Sequence, residues 1–129
     1  MSNEFKIEII TPEKTILKSE VKEVIIPAFE GQLGILKDHI PLITFLRPGL
    51  ISVNNQEERK FFVEEGTVEF SNNNLLILTS SIRDLQHFDN NSINKLIELS
   101  KIKIKDEDIT DKEKYILSYK IDTLNGINR

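Results

Sequence analysis

The sequence predicts an α+β protein, in which a β-sandwich of about ten short strands is followed by an antiparallel α-helical hairpin. Up to residue 88, apolar residues mostly recur at every second position, and turn-forming residues interrupt them at short intervals. After residue 88, the apolar spacing becomes that of a helix. Residues 1–89 carry a net charge of −5 and residues 90–129 a net charge of +1. We therefore expect a β-sandwich over residues 1–88 and a helical hairpin over residues 89–129.

The first part of the chain reads as a series of strands and turns. Phe5, Ile7 and Ile9 alternate with less apolar residues, which predicts a first strand with one buried face. A second apolar run, Val21 to Ile26, is expected to stop at Pro27, because proline has no backbone donor. The tripeptide Arg47-Pro48-Gly49 should bend the chain between two further strands. Two asparagine-rich turns are expected, at 54–57 and at 71–74.

The second part of the chain carries signals for two helices. Residues 89–92 offer several N-caps for a first helix. The acidic cluster at 106–108 is expected to form the connection. Thr110 and Glu113 have the spacing of a capping box for a second helix. Asn125-Gly126 predicts where that helix ends, because glycine adopts left-handed backbone angles easily.

Composition restricts the classes of function. The 129 residues include no cysteine and only two histidines, at positions 39 and 87, so thiolate and histidine-rich metal sites are not expected. The net charge of −4 does not suit general nucleic-acid binding. The N-terminus lacks the pattern of a leader peptide, and no run approaches the ~20 apolar residues that span a bilayer. We expect no cofactor, no nucleophile–base pair and no catalysis by this chain, with membrane association only through partners.

The most informative segment runs from residue 30 to residue 42. Its two glycines, Gly31 and Gly34, suggest backbone angles that other residues avoid, and Pro41 favours an extended residue before it. We expect a shaped loop that presents Glu30, Asp38 and His39 at the surface. These three side chains could be read as an acid–base or metal cluster, but neighbours on one loop rarely converge. A packed or hydrogen-bonded role for His39 is the favoured interpretation.

This segment, EGQLGILKDHIPLITFLRPG, resembles the signature of the epsilon subunit family of F-type ATP synthases, called delta in mitochondria. The opening FKIEIITPEKTIL, the segment EGTVEF and the strand LLILTSSIRD also resemble the family, which places a turn at residues 11–13. The positions that match the family signature are Glu30, Gly31, Leu33, Gly34, Ile35, His39, Pro41, Leu42, Pro48 and Gly49.

The resemblance implies a non-catalytic rotor subunit in the central stalk of a proton-translocating ATP synthase, without a cofactor of its own. Its partners would be the gamma subunit, the polar loops of the membrane c-ring and, through the hairpin, the catalytic alpha and beta subunits. It would lie peripherally on the cytoplasmic face of the inner (plasma) membrane. The resemblance places the 30–39 loop at the ring-facing end and His39 near gamma. The expected contact residues for the c-ring and gamma are Glu30, Gly31, Leu33, Gly34, Asp38, His39 and Pro41.

The sequence departs from the family at the first helix. Some bacterial members bind ATP there through a motif that includes an aspartate and, three residues later, an arginine. Asp89 matches this motif, but Ser92 stands in place of the arginine, so we expect weak or no ATP binding. Lys101, Lys103 and Lys105 either form a solvated helix face or meet an acidic loop of the beta subunit. The competing interpretation of the whole chain is a stand-alone β-sandwich adaptor, which would ignore gamma.

Overall fold

The computed structural model describes residues 2–127 and confirms the β-sandwich followed by two helices. Over these residues there are ten strands, one 3₁₀ turn at Leu85–His87 and two α-helices, α1 (Asn90–Ile104) and α2 (Asp111–Ile127). The strands are β1 (Phe5–Ile10), β2 (Thr15–Val21), β3 (Glu23–Ala28), β4 (Gly31–Leu36), β5 (Leu42–Leu46), β6 (Gly49–Asn54), β7 (Glu58–Val63), β8 (Gly66–Ser71), β9 (Asn74–Leu78) and β10 (Ile82–Asp84).

The strands form one curled sheet with the order β10-β7-β6-β3-β5-β8-β9-β1-β2, and β4 pairs with β3 outside this path. All pairings are antiparallel except the parallel pair β1–β9. The curled sheet encloses the main hydrophobic core. Phe5, Ile7 and Ile9 belong to this core, so the predicted alternation in the first strand is confirmed.

A second cluster joins the sheet to the helices. The neighbouring residues Phe61 and Phe62 point to opposite sides of β7, so Phe61 joins the main core and Phe62 packs beneath the hairpin. Phe62 is 1% exposed, and its ring stacks on Phe88 with the centroids 5.8 Å apart. The helices contribute Ile93, Ile97 and Leu124 to the same cluster.

Several predicted turns and caps are present. Thr11 donates its amide to the Lys14 carbonyl between β1 and β2. Asn72 and Asn73 have φ of 51° and 59° between β8 and β9, as a tight hairpin turn requires. Thr110 and Glu113 form the reciprocal capping box of α2, in which Thr110 N donates to Glu113 Oε1 at 3.2 Å and Glu113 N donates to Thr110 Oγ1 at 3.1 Å.

Three local expectations were wrong. Pro27 does not end its strand, because β3 continues to Ala28 with Pro27 opposite Gln32 and with the Pro27 carbonyl bonded to the Arg47 amide. Residues 31–36 are strand β4, not a loop. The second helix continues through Gly126 to Ile127, where packing of Ile127 on the second cluster favours the helical conformation.

Candidate protein-docking surface

The sandwich exposes several large apolar side chains on its outer surface. Ile43 and Phe45 of β5 are 76% and 61% exposed, although the strand that carries them is central in the sheet. Ile43 lies opposite Glu69, and Phe45 lies opposite Thr67, which in turn lies opposite Leu78. Directly paired residues share one face of a sheet. We call this surface the outer face, and its residues are Ile43, Phe45, Thr67, Glu69, Leu76 and Leu78.

The outer face extends onto β1, where Leu76 lies opposite Glu8 and Leu78 opposite Ile10. One row of residues across the sheet is therefore mainly apolar, and the neighbouring row carries the carboxylates of Glu8 and Glu69. An exposed apolar patch bordered by charge is typical of a protein-interaction site. The sequence did not reveal this face, because LITFL is apolar at four of its five positions and does not show which side faces the solvent.

Exposed apolar side chains also lie at the end of β4 and in the segment that follows it. Leu36 and Ile40 are both exposed. Asp38 has φ of 67°, and Asn73 holds it through two hydrogen bonds, Asp38 N to Asn73 Oδ1 at 2.7 Å and Asn73 Nδ2 to Asp38 Oδ1 at 2.9 Å. The ring of His39 lies perpendicular to that of Phe70, with the two centroids 5.9 Å apart, and its Nδ1 lies 2.7 Å from the Ile40 carbonyl oxygen. His39 is therefore packed against Phe70 and within hydrogen-bonding distance of Ile40, whereas its place in an interface stays a prediction.

The structure separates the predicted contact residues into two groups. Glu30 lies in the turn between β3 and β4, whereas Asp38 and His39 follow the other end of β4. A strand of six residues spans about 20 Å. One end of the sandwich therefore cannot present all three side chains, so the expectation that residues 30–39 form one loop was wrong. Contacts of these residues with the c-ring and gamma stay a prediction.

The remaining predicted residues of this segment lie along β4 and just beyond it. Gly31 begins the strand with φ of 145°, and Leu33 packs against the main core. Gly34 is exposed, has no left-handed backbone angles, and would leave an added Cβ free of contacts within 4 Å. The expectation that both glycines supply special backbone angles is thus correct for Gly31 and wrong for Gly34. Pro41 is exposed immediately before β5.

The two residues of the degenerate nucleotide motif form a helix cap. Asp89 is the N-cap of α1, and its carboxylate accepts a hydrogen bond from Ser92 N at 2.7 Å. The backbone and side-chain hydrogen bonds from Ser92 lower the pKa of Asp89 from its ordinary value of 3.8. Asp89 therefore has a structural role at the start of α1, where a carboxylate also faces the positive end of the helix dipole.

The three predicted lysines lie at the C-terminal end of the first helix. Lys101 and Lys103 occupy the last turn of α1, and Lys105 is its C-cap. All three are exposed, as are the apolar side chains of Leu99 and Ile102. Cations at this end of a helix interact favourably with its dipole.

The second helix is attached to the sandwich by polar contacts that sequence reasoning missed. The Tyr115 hydroxyl donates to the Phe29 carbonyl at 3.0 Å and accepts from Arg47 Nη1 at 3.2 Å. The Arg47 guanidinium carbon also lies 3.8 Å from the centre of the Tyr119 ring. We call Phe29, Arg47, Tyr115 and Tyr119 the tyrosine bridge. Lys120 and Glu64 form a separate, partly buried ion pair at 2.6 Å.

The described part of the chain offers little that suits catalysis. Among residues 2–127, no three His, Asp or Glu side chains are grouped to hold a metal ion. Two carboxylates have clearly shifted pKa values, Asp89 and Asp84, and both lie in helix caps. For Asp84, burial alone would raise the pKa, but hydrogen bonds from Gln86 N and Arg59 lower it overall. No helix within residues 2–127 is long and apolar enough to cross a membrane.

Comparison with sequence families gives a match over most of the sandwich. The family described as ATP synthase, Delta/Epsilon chain, beta-sandwich domain, matches residues 4–84. This chain belongs to the ATP synthase delta/epsilon chain family. The family resemblance drawn from the 30–49 segment is confirmed.

Named relatives resemble this chain over its whole length in one case and over about two thirds of it in another. The ATP synthase epsilon chain of Pelagibacter ubique is 50% identical over 130 residues, covering 99% of this chain and 100% of that one. The ATP synthase epsilon chain of Wolbachia pipientis is 39% identical over 83 residues, covering 63% of this chain and 73% of that one.

Solved structures share the fold at low sequence identity. A chain in the mitochondrial ATP synthase of Euglena gracilis, described as OSCP/F1/c-ring in rotational state 1, superposes with a TM-score of 0.81 at 19% identity. That match covers 98% of this chain and 82% of the other. A chain in the central stalk/c-ring structure of Tetrahymena thermophila ATP synthase gives a TM-score of 0.64 at 13% identity, covering 96% of each chain.

Proposed function

We propose that this chain is the epsilon subunit of an F-type ATP synthase, a non-catalytic rotor part that joins the gamma subunit to the c-ring. The observation that carries the proposal is the 50% identity to a named epsilon chain, over 99% of this chain and 100% of that one. The two structural relatives come from assemblies whose descriptions include a c-ring, and one of them a central stalk. The chain works at a membrane-bound complex, and we place it on the cytoplasmic face of the inner (plasma) membrane.

The outer face is the surface that we assign to gamma. Ile43 and Phe45 supply apolar area for a partner to bury, and burial of apolar area is the main favourable term in protein association. Glu8 and Glu69 border this area, so the matching gamma surface should carry apolar side chains flanked by Lys or Arg. His39 and Asp38 lie beside Phe70 and Asn73 at the β8–β9 end of the sandwich.

The opposite end of β4 is the surface that we assign to the c-ring. Glu30 lies in the exposed turn between β3 and β4, and Gly31 is the first residue of β4, so both can reach the polar loops of the ring from this end. A single exposed ion pair from Glu30 would contribute only about 0–1 kcal/mol. The ring contact is therefore weak by itself, and the gamma contact provides most of the affinity.

The mechanism that we propose is transmission of torque by a stiff body. A rotor part must deform little under load, and close-packed interiors have low compressibility. The main core joins side chains from nine of the strands, so force applied at one end reaches the other without a soft layer between them. This task needs no acid–base or covalent chemistry from the chain.

The hairpin is the regulatory element in this proposal, with residues 1–88 as the rotor body and residues 89–129 as the regulatory unit. In the docked state Phe62, Ile93 and Leu124 are buried. Extension of the hairpin along gamma would expose side chains of this cluster, and each fully exposed one would cost about 1.5–3 kcal/mol until gamma covers it. Lys101, Lys103 and Lys105 would then reach the acidic surface of a beta subunit.

The proposal is tested by association with a gamma shaft. The full chain is co-expressed with the gamma subunit of the same ATP synthase, and the complex is isolated by a tag on gamma. We expect a stable one-to-one complex that also binds purified c-rings in detergent. A monomeric chain that never associates with gamma would favour the adaptor interpretation instead.

A further inference from the structure

We infer that Tyr115 is a positioning residue for the turn between β3 and β4, so that docking of the hairpin and engagement of a partner by this turn are coupled. The inference rests on the proposed function, because the turn carries Glu30 and leads directly into Gly31, the two residues that we assign to the ring contact. The hairpin then shapes an interface while it is docked, in addition to any role that it has when extended.

The turn is short and has few anchors of its own. Residues 29 and 30 connect β3 to β4, and Ala28 pairs with Gly31 across them. The Phe29 amide donates to the Phe45 carbonyl at 2.9 Å, which ties one side of the turn to β5. Gly31 follows with φ of 145°, a conformation that other residues rarely adopt. The exposed side chain of Glu30 adds no packing that would hold the turn.

Helix α2 provides the other anchor. The Phe29 carbonyl accepts a hydrogen bond from the Tyr115 hydroxyl at 3.0 Å, and the centroids of the two rings lie 5.3 Å apart. The Lys112 ammonium lies 6.0 Å from the Phe29 ring, one helical turn before Tyr115. Phe29 is thus held by β5 through its amide and by α2 through its carbonyl and its ring.

Arg47 connects this anchor to a second turn. The Arg47 amide donates to the Pro27 carbonyl at 3.0 Å, and its guanidinium contacts Tyr115 and Tyr119. Because Arg47 lies between β5 and β6, the tyrosine bridge joins two neighbouring turns of the sandwich to one face of α2. Undocking of the hairpin would break every contact of the bridge to α2 at once.

A coupling of this kind is reciprocal. If the docked hairpin favours the turn conformation that a partner binds, partner binding must favour the docked hairpin by the same factor. One hydrogen-bonded contact of this type changes an equilibrium by roughly two- to tenfold. The coupling should therefore fall in this range.

The test compares three full-length proteins: the unchanged chain, Tyr115→Phe and Tyr119→Phe. Tyr115→Phe keeps the ring and removes the hydroxyl that contacts Phe29 and Arg47. Tyr119→Phe is the matched control, because Arg47 contacts the face of that ring. Amide exchange is measured residue by residue by NMR, which suits a 14.9 kDa chain.

In Tyr115→Phe, the amides of Phe29 and Arg47 should exchange roughly two- to tenfold faster than in the unchanged chain. Amides of the main core, such as that of Ile9, should keep their rates, and Tyr119→Phe should match the unchanged chain throughout. Equal acceleration at all amides would show only a general loss of stability and would overturn the inference. Unchanged exchange at Phe29 in Tyr115→Phe would overturn it as well.

A second arm uses purified c-rings in detergent with the gamma complex of each protein. Tyr115→Phe should bind the rings roughly two- to tenfold more weakly than Tyr119→Phe. Binding of the rings should also slow amide exchange in α2 of the unchanged chain. If the unchanged chain binds and Tyr115→Phe binds equally well, the inference fails and the proposed function stands. If the unchanged chain binds neither gamma nor rings, the proposed function fails, and the exchange measurements still decide whether Tyr115 positions the turn.

Discussion

Replacement of Phe45 by threonine should weaken gamma binding strongly and leave the fold intact. Phe45 is 61% exposed, so of the ~150–250 Å² that a phenylalanine can bury, about 100–150 Å² is left for a partner to cover. At about 25 cal/mol per Å², this area corresponds to about 2.5–4 kcal/mol. Threonine keeps part of the area, so the expected loss is about 2–3 kcal/mol, or roughly 30- to 150-fold in Kd.

Threonine is chosen because it suits a strand and keeps the backbone pairing of β5 with β8. An exposed substitution of this kind should change the free energy of unfolding by no more than about 0.5 kcal/mol. Gamma binding is measured by isothermal titration calorimetry, and unfolding is measured by urea titration of the same samples.

The matched control for this change is Leu99→Ala. Leu99 is 55% exposed, close to Phe45 in exposure, but it lies on α1, away from the outer face. Leu99→Ala should leave gamma binding unchanged while the hairpin is docked on the sandwich. The assignment of the outer face would be refuted if Phe45→Thr and Leu99→Ala bound gamma equally well, with both chains folded.

Four further substitutions test the second cluster, the space around two glycines and the cap of α1. Phe62→Ala should lower the free energy of unfolding by about 3–5 kcal/mol, because it leaves a cavity between the sheet and the hairpin where the side chain is only 1% exposed. Urea unfolding measures this loss. Gly66→Ala should be destabilising, because its Cβ would lie 2.6 Å from the Leu78 carbonyl oxygen, whereas Gly34→Ala has free space and should match the unchanged chain in a thermal melt. The lowered pKa of Asp89 means that its contribution to stability is complete above the ordinary value of 3.8 and is lost as the pH falls through the lower folded value. When the pH is lowered, the NMR signals of folded α1 should therefore decrease less in Asp89→Asn than in the unchanged chain. Asparagine remains a good N-cap but does not titrate.

Local patterns in the sequence predicted most elements of the fold, because each depends on near neighbours. Alternation in β1 requires only that one face be buried, and the pair Asn72-Asn73 accepts the left-handed angles of a tight turn. The capping box of Thr110 and Glu113 spans a single helical turn.

Predictions failed where a distant partner changed the outcome. Pro27 remains inside β3 because its carbonyl finds the Arg47 amide, a residue 20 positions away. Strand β4 forms because β3 lies beside it, although its glycines suggested a loop. The outer face was missed because the alternation in β5 becomes visible only when the pairing with β8 defines which side faces the solvent.

The candidate site shows the same division. The family signature identified the residues of the 30–49 segment, but the structure placed Glu30 and Asp38 at opposite ends of a strand. The tyrosine bridge was beyond sequence reasoning, because it brings Tyr115 to Phe29 across 86 positions of the chain.

The sequence by itself determined the two kinds of structure, their order, most of the turns and the family, since period, turn chemistry and a contiguous signature are all readable over short stretches. Only the tertiary structure decided which apolar side chains remain exposed for a partner and how α2 is fastened to the sandwich. These features depend on contacts between strands and helices far apart in the chain, and the free energy of such contacts is set by packing geometry that no local pattern contains.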